Sequence, residues 1–82
     1  MTLTAKLEES ENRQYKYSTG LKLSFKTQDG KLYHTVIFEN GHFYDFMRSL
    51  DIGSYYRLKA EVKQNNDEHS LIHVFSIENF EI

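Results

Sequence analysis

The run Leu21-Lys22-Leu23-Ser24-Phe25-Lys26-Thr27-Gln28-Asp29-Gly30-Lys31-Leu32-Tyr33-His34-Thr35-Val36-Ile37-Phe38 decides the architecture. In its first half Leu21, Leu23 and Phe25 alternate with Lys22, Ser24 and Lys26. Successive side chains leave a strand on opposite faces, so one row suits a core and the other suits water. Asp29-Gly30 then supplies residues that tolerate positive φ, as a tight turn requires, so the two halves pair as an antiparallel hairpin. The second half is rich in β-formers. It sets Leu32, His34, Val36 and Phe38 on one row and Lys31, Tyr33, Thr35 and Ile37 on the other.

Around this hairpin the same alternation recurs. The pattern predicts strands over Leu3–Glu9, Gly20–Thr27, Lys31–Phe38, Tyr55–Gln64 and Leu71–Glu78. Between the third and fourth, Phe43, Phe46, Met47 and Leu50 fall at helical spacing, which predicts a short helix over Phe43–Leu50 with Gly53 ending it. In the fourth strand Tyr56, Leu58, Ala60 and Val62 are expected inward. In the fifth, Leu71/His73/Phe75/Ile77 competes with Ile72/Val74 for the core, and a bulge near His73–Ser76 satisfies both. The polar run Ser10–Gln14 either continues the first strand or opens a loop into Tyr15-Lys16-Tyr17.

With 82 residues the expectation is one domain spanning 1–82 with one modest core. There is no cysteine, which excludes disulfides, thiol chemistry and cysteine-based zinc sites. No apolar run is long enough for a transmembrane helix, and no signal-like start is present; the expectation is a cytoplasmic protein without membrane contact. The net charge of −2 argues against a strongly basic nucleic-acid binder, yet the charge is polarised. Between Asn12 and Phe38, Arg13, Lys16, Lys22, Lys26 and Lys31 face only Asp29 in sequence. From Gln64 onward there are Asp67, Glu68, Glu78 and Glu81 and no Lys or Arg.

The segments Leu21–Phe25, Asp29-Gly30 and Val36-Ile37-Phe38, followed by the helix, Gly53 and Tyr55–Val62, resemble small OB-fold nucleic-acid-binding modules over nearly the whole chain. The resemblance implies a mainly β fold: a small five-stranded antiparallel OB-like barrel with one short helix between strands three and four. Such barrels bind oligonucleotides and oligosaccharides on the face of strands two and three and on neighbouring loops.

Arg13-Gln14-Tyr15-Lys16-Tyr17 interleaves cations with aromatics, a mixture that suits phosphate neutralisation and base stacking on a single strand. The expected interface joins Arg13, Tyr15, Lys16 and Tyr17 to an outward row of Lys22, Lys26, Lys31 and Tyr33, with Arg57 and Lys59 widening it. His34, His42, His69 and His73 lack the close paired spacing of zinc sites, and no catalytic triad spacing or phosphate loop occurs. No metal, cofactor or catalytic activity is therefore expected. The sequence reading is a non-catalytic module that binds single-stranded nucleic acid, DNA or RNA, in replication or repair. The alternative is an accessory subunit docking on a larger polymerase, primase or helicase, with the acidic end as a docking surface.

Overall fold

The computed structural model describes residues 1–41, 43–65 and 69–80. Its elements are β1 (Thr2–Gln14), β2 (Thr19–Lys26), β3 (Leu32–Phe38), α1 (Tyr44–Arg48), β4 (Tyr55–Asn65) and β5 (His69–Asn79). The order of strands and helix matches the sequence expectation. Pairing runs β1-β2-β3-β5-β4 and returns to β1, so one sheet closes on itself. Three hairpin-connected strands with β4 brought back beside β1 form a Greek key, and β5 fills the gap between β3 and β4.

The expected purely antiparallel sheet is corrected at one seam. β3 and β5 run parallel, with partners Leu32–His69, Tyr33–Ser70 and His34–Leu71. All other pairings are antiparallel. A closed ring with an odd number of strands cannot alternate direction all the way round, so one parallel pair is unavoidable.

The core is filled from the ring. Ala5 and Leu7 come from β1, Leu21, Leu23 and Phe25 from β2, Tyr56, Leu58 and Ala60 from β4, and Ile72 and Val74 from β5. Val62, expected inward, lies near the end of β4 and is exposed. The helix spans five residues, fewer than Phe43–Leu50, and buries Tyr44 and Met47. Phe46, expected in the apolar stripe, is half exposed. Phe43, Met47 and Leu50 pack in or against the core as expected, and Tyr44 takes the remaining inward place, its hydroxyl donating to Asn12 Oδ1 at 2.9 Å. Gly53 sits in the turn after the helix, where its φ of 94° requires glycine, and its N–H donates to the Leu7 carbonyl.

Ser10–Gln14 continues β1 and pairs with β2 along its length. The register shifts between Leu7 and Glu9, and beyond the shift Ser10 and Asn12 stand opposite the inward-facing Leu23 and Leu21. This half of β1 is polar throughout, with Asn12, Arg13 and Gln14 exposed, so alternation of apolar residues gives no signal there. In β5 the two competing phases are joined by a bulge. Val74 pairs with Ala60 and Ser76 with Lys59, leaving Phe75 as the extra residue. Ile72 and Val74 point inward before it, and Ile77 packs against the core after it.

Candidate nucleic-acid interface

The β2–β3 register sorts the hairpin's side chains into two faces. Leu21–Ile37, Leu23–Thr35 and Phe25–Tyr33 are opposed on the core side. Gly20–Phe38, Lys22–Val36, Ser24–His34 and Lys26–Leu32 are opposed on the outer side. Tyr33, expected beside the outward lysines, therefore lies on the face of buried Phe25 and packs against the core. Lys31 goes with it: Nζ donates to Asn65 Oδ1 at 3.1 Å and sits 5.4 Å from the Tyr33 ring centroid. These two residues form the rim near the β4–β5 end, separate from Lys22 and Lys26.

The β1–β2 loop folds back onto the outer face. Tyr15 N–H donates to the Ser18 carbonyl at 2.8 Å, closing a tight turn. The Tyr15 ring then covers Gly20, where an added Cβ would lie 2.9 Å from Tyr15 Cε2 and 3.1 Å from Val36 Cγ1. It meets Phe38 edge to face, with centroids 5.6 Å apart. Phe38 keeps 43% of its surface exposed. At the loop tip Tyr17 is 88% exposed, with Lys16 Nζ 5.3 Å from its ring centroid. Bare backbone at Gly20 thus lets Tyr15 join Phe38 as an aromatic ledge, while Tyr17 projects beside it.

The cations around this ledge are not unopposed, contrary to the sequence reading. β1 carries acid onto the same surface: Glu11 stands opposite Lys22 and pairs with Arg13, while Glu9 stands opposite Ser24. Lys26 faces Lys6. Arg57 and Lys59 do not widen the track. They lie on β4, which pairs with β1 and β5 and with neither β2 nor β3. Arg57 is 3.8 Å from Glu78 and stacks over Phe80 at 5.0 Å. Of the acidic end, Asp67, Glu68 and Glu81 fall outside the described residues, as does His42.

His34, absent from the expected interface, belongs to this outer face. Its Nδ1 is hydrogen-bonded to Ser24 Oγ at 2.8 Å, and its ring lies 5.7 Å from that of His69. Burial, then Lys22 and His69, hold its pKa below the ordinary 6.5, with Glu9 opposing them. The imidazole is therefore neutral near pH 7. Among the described residues no three His, Cys, Asp or Glu side chains gather as a metal site. No helix there is long and apolar enough to cross a membrane.

Phe38 and His34 were missed because the sequence reading sets the Lys31–Tyr33 row of β3 outward, whereas Tyr33 stands opposite buried Phe25. The three-residue turn Gln28-Asp29-Gly30 contained the answer. Thr27 N–H donates to the Lys31 carbonyl, and counting back from that pair puts Lys26 opposite Leu32 and Lys22 opposite Val36. Comparison with protein-family models, with curated proteins and with solved structures gives no match for this chain.

Proposed function

We propose that this closed sheet is an OB-like barrel that binds single-stranded nucleic acid on the outer face of β2 and β3 without catalysing a reaction. The observation that carries the reading is the ledge of Tyr15 and Phe38 with Tyr17 exposed beside it, ringed by Lys16, Lys22 and Arg13. Exposed rings suit unpaired bases, whose π faces are available only when the strand is single. The neighbouring cations suit the phosphates between those bases. The Greek-key order and the helix between β3 and β4 support the OB-like assignment, since this fold presents the same two strands to its ligands. Glu9 and Glu11 temper the field, so modest affinity with a large stacking share is expected. A strand-handling role in replication or repair fits such a module.

Fluorescence anisotropy with a labelled oligonucleotide tests this. Binding should favour single strands over duplex and weaken as salt rises. Lys16→Gln and Lys22→Gln should lower affinity and flatten the salt dependence, because fewer counterions are released. Tyr17→Ala or Phe38→Ala should cost about 1–3 kcal/mol per lost stack with the salt slope retained. A folded sample that binds no oligonucleotide at low salt contradicts the reading.

A second reading, an accessory subunit on a larger DNA-processing enzyme, draws on apolar side chains elsewhere. Val62, Leu71 and Phe75 are exposed on β4 and β5, away from the Tyr15–Phe38 ledge. Leu71→Ser with Phe75→Ser should then abolish capture of that enzyme and spare oligonucleotide binding.

A further inference from the structure

Beside the aromatic ledge lies an open groove of about 560 Å³ between the β1–β2 loop and the turn after β3. It is lined by Gln14, Ser18, Thr19, Glu39 and Asn40, and every one of these side chains is polar. Both walls are fixed to each other. Glu39 N–H donates to the Thr19 carbonyl at 3.1 Å across the groove, and within the β1–β2 wall Thr19 Oγ1 donates to Gln14 Oε1 at 3.1 Å. The groove adjoins the rings directly, since Glu39 follows Phe38 and Gln14 precedes Tyr15 in the chain.

Glu39, like Glu9 and Glu11, is an unfavourable neighbour for phosphates. Its carboxylate makes no ion pair among the described residues. A free carboxylate repels a phosphate backbone, so its presence favours a ligand group that donates hydrogen bonds. We infer that the groove is a nucleobase subsite that selects guanine from a single strand stacked on Tyr15 and Phe38.

The chemistry singles out this base. Guanine alone presents two parallel donors on its Watson–Crick edge, N1–H and the N2 amino group, which match the two oxygens of one carboxylate. Adenine and cytosine offer one amino group beside a ring acceptor, and that acceptor would meet the carboxylate's lone pairs. Thymine and uracil offer one N–H between two carbonyls. The guanine O6 needs a donor, and the Asn40 amide and Ser18 hydroxyl on the groove's wall supply that type. Unpaired bases splayed onto aromatic rings are commonly read along this edge.

The inference rests on the proposed strand binding, and one experiment separates their failures. Anisotropy is measured for oligothymidylate and for the same oligomer carrying one internal guanine, adenine or cytosine. The guanine oligomer should bind at least about fivefold more tightly than the others, the lower end for a bidentate base contact. Glu39→Gln should remove that advantage, because the amide presents one acceptor and one donor where two acceptors are needed. Circular dichroism checks that the variant remains folded. Equal binding of all four oligomers, or a guanine preference that survives Glu39→Gln, overturns the subsite and leaves strand binding intact. Absence of binding to every oligomer overturns both.

Discussion

At the scale of single residues, Gly20 is the position on which the proposed interface turns. Its missing side chain is the space that the Tyr15 ring occupies. Gly20→Ala puts a methyl where the ring lies, and the ring, being the far end of a side chain, can swing outward. We therefore expect a small change in melting temperature and a loss of oligonucleotide affinity close to that of Tyr15→Ala. A large loss of stability with unchanged affinity would show that Tyr15 is structural only. His34 carries the pH prediction. Its pKa is depressed in the folded state, so the unfolded chain binds more protons as pH falls through 6.5. Stability contributed by the neutral imidazole is complete above that value and declines below it. Urea unfolding at a series of pH values should show this decline, and His34→Gln should flatten it. A slope that is the same in the variant assigns the effect to other groups.

At the scale of elements, the strands that alternate cleanly were legible and the interruptions were not. Leu21, Leu23 and Phe25 on β2 announce their own phase, because each inward position is apolar and each outward one polar. β1 hides its second half, since Ser10–Gln14 is polar throughout and is held as a strand by its pairing with β2, which alternation does not report. In the helix stripe only Phe46 departs from the expectation, and Tyr44 is buried in its place. β5 was legible up to its ambiguity, and the bulge at Phe75 reconciles its two phases. This geometry makes an unusual forecast. Deleting Phe75 removes the extra residue and leaves Val74, Ser76 and Ile77 in unbroken alternation against Ala60, Lys59 and Leu58. Deleting His73 shifts the residues before the bulge and turns Ile72 away from the core. The Phe75 deletion should therefore fold with native-like NMR dispersion, while the His73 deletion should be strongly destabilised or unfolded. Equal damage from the two would contradict the bulge assignment.

At the scale of the whole molecule, the closed ring separates two kinds of surface. The outer face of β2 and β3 gathers the rings and part of the basic stretch. β4 carries Arg57 and Lys59 on another part of the wall, where Glu78 already engages Arg57. Linear charge counting merged these surfaces, because only the ring order reveals that β4 touches β1 and β5. It also overlooked Glu11, which is distant from Lys22 in sequence and opposite it in the sheet, and Glu9, which stands opposite Ser24. The partition makes the central claim testable residue by residue. An amide-resolved NMR titration with a single-stranded oligonucleotide should move the signals of Tyr15–Thr19, Gly20, Lys22 and Val36–Glu39. Those of Arg57, Lys59 and Leu71–Phe75 should stay in place. Shifts centred on β4 and β5, or none across the outer face of β2 and β3 at saturating oligonucleotide, would contradict the account.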